Sequence, residues 1–127
     1  MQFFAQFSDA TQPSVADLHS GAPKQWVGCA KRNADLVELV TAQAFPPLHS
    51  QCRAFLRHKT TLVAPEVLAS NAVQLSSLRQ REGEFVVTFP RAYHFGFNLG
   101  LNCAESTNFA LPSWVPAGLA ASRCACK

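Results

Sequence analysis

The sequence predicts a mainly β fold, a sandwich or barrel with helical decoration. Several short extended segments are punctuated by Gly and Pro residues, and one good helix stands among them. The chain has 127 residues, which is enough for one domain and too few for two. Charged residues make up only 15%, which excludes a disordered acidic tail and a highly charged helical rod. We therefore expect one continuous domain over residues 1–127.

Extended segments occupy most of the chain after the first helix. The predicted strands cover residues 2–8, 24–29, 58–63, 73–78, 84–89, 95–97 and 101–109. Residues 10–22 are predicted to be loop and turn, because Pro13, Ser14 and Gly21 punctuate that stretch.

One clear amphipathic helix is predicted over residues 33–45. Asn33 can cap it, and its apolar side chains recur at helical spacing. Pro46 and Pro47 follow directly and end it, because a proline interrupts helical hydrogen bonding. Residues 65–70 are predicted to form one or two helical turns, and residues 112–121 a short closing helix.

Several functional classes lack support in the sequence. No apolar stretch approaches the ~18 residues of a membrane span, and the N-terminus does not resemble a signal peptide. No run of Lys or Arg exceeds two residues, so there is no direct nucleic-acid signal. Five cysteines without an export signal argue against a disulfide framework and favour metal ligation or free thiols.

Three cysteines and one histidine form a candidate zinc site within a segment covering residues 52–126. Cys52 and His58 are six residues apart, and Cys124 and Cys126 flank a single alanine. Spacing alone leaves open that Cys52 is a small core residue and that the other two thiols lie on a frayed tail. Neighbouring cations favour the metal site, because they lower thiol pKa values and offset thiolate charge. Those cations are Arg53, Arg57, Lys59, Arg123 and Lys127. Cys29 and Cys103 are predicted to be buried thiols.

The stretch around His94 carries a family resemblance. Residues 84–110, which end NCAESTNFA, closely resemble the end of the catalytic core in JmjC histone lysine demethylases, most of all the JMJD2 (JHDM3) subfamily. The likeness extends back through CRAFLRHK at residues 52–59 and HSGAPKQW at residues 19–26, and forward to residues 124–126. It therefore covers nearly the whole chain through several specific motifs.

The resemblance implies a double-stranded β-helix, the cupin-like jelly roll, with Fe(II)- and 2-oxoglutarate-dependent chemistry on N-methyl-lysine of histone tails in the nucleus. Iron in this family is held by two His and one carboxylate. His94 matches the C-terminal iron ligand, while Lys24 and Lys59 match lysines of the 2-oxoglutarate pocket. Ser106 and Thr107 match polar residues near the methyl-lysine. The cysteine–histidine set matches the family's structural zinc site.

The N-terminal iron motif departs from the family pattern. A His-x-Asp/Glu pair is expected upstream of His19, where this chain offers Asp9 as the carboxylate and Phe7 in place of the His. The other register, Gln6 to Ser8, loses both ligands. Ala16 stands near the position of an Asn that contacts 2-oxoglutarate in the family. Since ligand count determines affinity at such a site, we expect iron binding to fall sharply.

Three readings of function remain open at the sequence level. The family's core begins upstream of Met1, so the chain is expected to be part of a demethylase core, inactive alone and completed by an N-terminal half or another chain. The alternative is a catalytically dead, zinc-stabilised scaffold or chromatin-interaction module. A third reading is a small β-rich protein whose thiols bind no metal.

Overall fold

A computed structural model describes residues 12–121, 123, 124 and 126 of the chain. The strands are β1 Ser14–Gly21, β2 Lys24–Cys29, β3 Leu75–Gln80, β4 Phe85–Thr88, β5 His94–Asn98 and β6 Asn102–Asn108. The helices are α1 Ala34–Ala44, α2 Pro46–Gln51, α3 Pro65–Ser70 and α4 Val115–Ala120. Short 3₁₀ turns cover Lys31–Asn33, Phe55–His58 and Pro112–Trp114. Among these residues, no helix has the length and apolar character that a transmembrane span requires.

The strands form two antiparallel sheets of three strands each. One sheet has the order β4-β1-β6 and the other β3-β2-β5, so consecutive strands β1 and β2 are the two central strands. Gly21 ends β1 with φ +98°, and a Cβ there would lie 2.6 Å from the Leu101 carbonyl oxygen. Glycine at this position therefore lets the chain pass from one sheet to the other.

The hydrophobic core lies between the β3-β2-β5 sheet and the helices. On α1, Ala34, Val37, Val40 and Thr41 are buried, which is the i, i+3, i+6, i+7 spacing of a single helix face. Thr41 satisfies its hydroxyl by donating to the Val37 carbonyl at 2.8 Å. The core also contains Cys29, Cys52, Ala54, Phe55, Leu56, Val63, Leu68, Val73, Tyr93 and Phe95.

The prediction of loop and turn over residues 10–22 is wrong from Ser14 onward, because that segment forms β1. Ala16 and Leu18 are buried there, and β1 is hydrogen-bonded to β4 on one side and to β6 on the other. Polar residues in a strand are tolerated when both neighbours supply pairing, and local sequence does not reveal those neighbours. The strand predicted over residues 2–8 lies outside the described residues.

The strand predicted over residues 58–63 is also wrong. A 3₁₀ turn ends at His58, and Lys59 then adopts a left-handed conformation with φ +57°. No strand follows before Pro65 begins α3. The remaining predicted strands are confirmed within one or two residues, as are the helices over residues 33–45, 65–70 and 112–121.

Candidate functional site

A cavity of about 180 Å³ lies between the two sheets. It brings together four of the residues singled out in the sequence, Lys24, Lys59, His94 and Ser106. Trp26 forms part of its wall, and Gly96 makes room for that ring, since a Cβ at position 96 would lie 3.0 Å from it. The other lining residues are Ser14, Ala16, Ala104, Glu105 and Asn108.

The His94 imidazole is held in one orientation at the start of β5. Its Nδ1–H donates to the Ala92 carbonyl at 2.8 Å, which leaves the Nε2 lone pair available for a ligand bond. Burial lowers the pKa of His94, and the positive charge of Lys59 lowers it further, against the opposing effect of the Ala92 hydrogen bond. The ring is therefore neutral near pH 7, which is the form that binds metals.

Two lysines make the cavity cationic. The Lys24 ammonium lies 5.2 Å from the centre of the Trp26 ring, and burial lowers the pKa of Lys24. Lys59 reaches the same cavity from its left-handed position after the 3₁₀ turn. Within the described residues neither lysine is paired with a carboxylate. Lys24 is half-buried and Lys59 is exposed. Two cations at one cavity, with no carboxylate partner among the described residues, are suited to an anionic ligand such as a dicarboxylate.

The Trp26 ring is positioned by a residue that the sequence did not single out. Gln80 is 1% exposed, and its Oε1 accepts a hydrogen bond from Trp26 Nε1 at 2.9 Å. Its Nε2 donates to the carbonyls of Ala16 and Glu84, at 3.0 and 2.8 Å. Gln80 thus joins both sheets behind the cavity. A single glutamine among polar strand residues has no periodic signal that could have marked it.

The cysteine and histidine side chains of the predicted zinc site converge. The ligand atoms of Cys52, His58, Cys124 and Cys126 all lie within 4.8 Å of one another. Cys52 Sγ is 3.8 Å from Cys124 Sγ, and His58 Nε2 is 3.1 Å from Cys124 Sγ. Tetrahedral Zn–S bonds of about 2.3 Å place two sulfurs roughly 3.8 Å apart, so this donor set fits zinc.

The thiols in this cluster have unequal acidity. A hydrogen bond from the Cys126 backbone N–H, together with one from His58, lowers the pKa of Cys124 to about 6. The hydrogen bond with Cys52 and the neighbouring Cys124 thiol raise the pKa of Cys126 to about 11. Thiolates this close repel one another, and a divalent cation between them would relieve that repulsion.

Comparison with known proteins identifies the family. A family model described as "JmjC domain, hydroxylase" matches residues 2–109. The chain belongs to the JmjC family. The predicted resemblance is thereby confirmed, and so is the cupin-like jelly roll as its fold class, which agrees with the two antiparallel sheets and few short helices.

Three curated relatives are lysine demethylases by name. Lysine-specific demethylase 4D of Rattus norvegicus is 45% identical over 113 residues, covering 89% of this chain and 22% of that protein. Probable lysine-specific demethylase 4F of Homo sapiens is 43% identical over 113 residues, covering 89% and 18%. Lysine-specific demethylase 4B of Mus musculus is 43% identical over 114 residues, covering 90% and 10%. The chain spans about a fifth or less of their length.

The described residues of this JmjC domain do not by themselves fit the family's iron. His94 supplies one nitrogen, while Asp9 and Phe7 lie outside the described residues. Among the described residues, the cysteine–histidine cluster is the only group of three or more metal-ligating side chains close enough to hold an ion.

Three further residues named in the sequence analysis, Ala16, Ser106 and Thr107, differ in how they relate to the cavity. Ala16 is 4% exposed and presents only a methyl group to the cavity, near the position at which the resemblance predicts an Asn. Ser106 lines the cavity, whereas Thr107, the next residue on β6, is exposed and does not line it. Ser106 shares its side of β6 with Ala104 and Asn108, which also line the cavity, whereas Thr107 lies at an intervening position of the strand.

The two remaining thiols differ from each other. Cys29 is buried as predicted, and burial raises its pKa. Cys103 is exposed on β6, so the prediction of a buried thiol there is wrong. β6 is an edge strand of the β4-β1-β6 sheet, and its residues from Cys103 to Asn108 are all exposed, so no alternation of buried and exposed positions marks Cys103.

Proposed function

We propose that this chain forms part of the catalytic core of a JmjC-type histone lysine demethylase, acting on N-methyl-lysine of histone tails in the nucleus. The observation that supports this most directly is the convergence of Lys24, Lys59 and His94 on one cavity between the sheets. Membership of the JmjC family and the names of the relatives agree with it.

Each residue has a separate role in this proposal. Lys24 pairs with the distal carboxylate of 2-oxoglutarate, and Lys59 contributes the second cation facing this dianion. His94 offers Nε2 as one iron ligand, and Asp9 is the candidate carboxylate ligand. Ser106 and Thr107 are assigned to the methyl-lysine side. With Fe(II) bound, O₂ would be the oxidant: one oxygen atom would hydroxylate the N-methyl group, which would then leave as formaldehyde, and the other would enter succinate as 2-oxoglutarate loses CO₂.

The chain alone is proposed to bind 2-oxoglutarate without catalysing its conversion to succinate. Phe7 cannot ligate iron, because a phenyl ring has no lone pair, and Ala16 removes a hydrogen-bond donor from the cavity wall. Iron bound through His94 and Asp9 alone would be held weakly. The remaining parts of the core would come from an N-terminal half or from another chain.

Binding and turnover can be measured separately on the chain. Calorimetric titration with 2-oxoglutarate should detect binding that Lys24→Ala weakens about tenfold or more, because a charge-assisted pair is lost. The matched control Lys31→Ala removes the same charge outside this cavity and should bind as the unchanged chain does. With Fe(II), 2-oxoglutarate and a methylated histone peptide, neither formaldehyde nor succinate should form. Equal binding by the Lys24→Ala variant would contradict the assigned role.

Structural zinc is proposed at Cys52, His58, Cys124 and Cys126. The donor set and the 3.8 Å Cys52–Cys124 separation support it. Zinc at this site would fasten the chain after β6 to the 3₁₀ turn Phe55–His58, and structural zinc contributes directly to folding stability.

The alternative function is a catalytically dead, zinc-stabilised scaffold or chromatin-interaction module. The methyl group of Ala16 in the cavity wall favours it. It predicts one zinc per chain with no measurable affinity for 2-oxoglutarate. Phe7→His in a chain completed by an N-terminal half tests how far the site has decayed. Recovery of Fe(II) binding would show that only this ligand is lost, and failure would favour the scaffold.

A further inference from the structure

A second and larger cavity lies on the helical side of the molecule. Its volume is about 470 Å³, and it shares no lining residue with the cavity around His94. The walls come from α1, the turn Phe55–His58, the segment before β5 and α4. Its lining residues are Lys31, Glu38, His49, Arg53, Ala54, Phe55, Leu56, Arg57, Arg91, Tyr93, Ala117, Ala120 and Ala121.

The charge of this cavity is strongly positive. Four cationic side chains line it against the single carboxylate of Glu38, whereas the whole chain has a net charge of +3. Asp35 pairs with Arg91 beside the cavity and offsets one of these charges, so the walls remain positive overall. Concave surfaces lined by one sign of charge concentrate ligands of the other sign.

The single carboxylate is already engaged. Glu38 Oε1 accepts a hydrogen bond from the Tyr93 hydroxyl at 2.9 Å and lies 3.3 Å from Arg91 Nη2. Arg91 also pairs with Asp35, and its backbone sits in the left-handed region with φ +62°. Such a conformation is unfavourable for a side chain with a Cβ and is maintained by surrounding contacts. These contacts fix one guanidinium at the cavity wall before any ligand arrives.

Two of the other cations, Lys31 and Arg53, are not held in this way. Within the described residues Lys31 and Arg53 are exposed and have no carboxylate partner. They stand at a cavity whose floor is formed by buried apolar and aromatic side chains, including Phe55 at 3% exposure. Three small alanines of the α4 region leave the volume open.

We propose that this cavity binds a phosphate-bearing organic molecule of about nucleotide size. Arginine forks match phosphate oxygens in two-point contacts, and Arg53 offers such a fork at the same cavity as the Lys31 ammonium. An inorganic phosphate would leave most of the 470 Å³ empty, and an apolar floor with polar groups at its rim is typical of sites for small organic ligands.

The test is a calorimetric titration of the zinc-loaded chain with ATP, with pyrophosphate and with a short DNA duplex at matched ionic strength. ATP should bind, and pyrophosphate several-fold more weakly because it lacks the organic body. Lys31→Gln and Arg53→Gln should each weaken ATP binding about tenfold. Zinc content, measured in each variant, shows that Arg53→Gln has not disturbed the neighbouring Cys52.

Two controls locate the binding. Arg79→Gln removes one charge from β3, outside both cavities, and should change ATP affinity less than twofold. Lys24→Gln, in the cavity around His94, should also leave ATP affinity unchanged. Unchanged binding by Lys31→Gln and Arg53→Gln would overturn the proposal, as would loss of ATP binding in Lys24→Gln. Duplex binding without ATP binding would overturn it in favour of a nucleic-acid contact.

Discussion

The cysteine–histidine cluster and the cavity around His94 are neighbours that depend on different features of the chain. The cluster is defined by four side chains of strongly ligating type, and all four lie among the described residues. The cavity depends on the register of β1, β2, β5 and β6, and its wall contains Ala16 where a donor is expected. His58 and Lys59 are adjacent, so one backbone segment serves both sites. The cluster therefore follows from the identity of four side chains, whereas the shape of the cavity follows from how the strands pair.

Breaking the cluster should have the largest effect. Replacing Cys124 and Cys126 by Ser should reduce bound zinc from one per chain to none and unfold the domain. The reason is that structural zinc contributes roughly 10–16 kcal/mol in small zinc-folded peptides, which is comparable with the whole stability of a typical domain. Metal analysis and a circular-dichroism melt measure the two effects. The control Cys103→Ser alters an exposed thiol outside the cluster and should change neither; an unchanged melt in the double variant would refute the structural role.

The cluster could be predicted from sequence because the residue types themselves, Cys and His, are metal ligands. Cys and His are few in this chain, and the cations beside Cys52 and His58 are local in sequence. The cavity was harder to predict from sequence, because its walls are set by pairing between strands that lie far apart along the chain. Ser106 lines it and Thr107 does not, a distinction of one residue that only the register of β6 decides. Helix α1 could be predicted from the helical spacing of its apolar side chains. Strand β1 was missed because its partners β4 and β6 lie 60 or more residues away in sequence.

The second prediction concerns the wall of the cavity. Gln80→Leu should destabilise the domain by about 2–4 kcal/mol, since Trp26 Nε1 and two carbonyls lose their buried hydrogen-bond partner. The same change should weaken 2-oxoglutarate binding while zinc content stays at one, which would separate the two sites. Urea unfolding and titration measure these quantities. Gln43→Leu, on the exposed face of α1, is the matched control; equal effects of both substitutions would deny Gln80 its positioning role.

A gain of function is expected at Ala16. Its side chain faces the cavity, so Ala16→Asn can supply a hydrogen-bond donor without entering the packed core. A hydrogen bond to a charged ligand should raise affinity for 2-oxoglutarate about tenfold. Titration of the variant checks this, with Lys24→Ala added as a second change that should abolish the gain. A reduced affinity would show that the cavity has no room for the amide.

The smallest effect is expected in the segment that joins the two sites. Among the described residues, Thr61 Oγ1 is a buried hydroxyl without a hydrogen-bond partner. A buried polar atom left unpaired costs free energy, so the near-isosteric Thr61→Val should stabilise the domain by about 0.5–1 kcal/mol. The neighbouring Thr60→Val, at an exposed position, should leave the urea midpoint unchanged. Thr61 lies two residues from Lys59 and three from His58. A more rigid segment should therefore also raise the affinity for 2-oxoglutarate slightly. A destabilised Thr61→Val variant would mean that the hydroxyl has a partner, and that this segment is held by polar contacts rather than by packing.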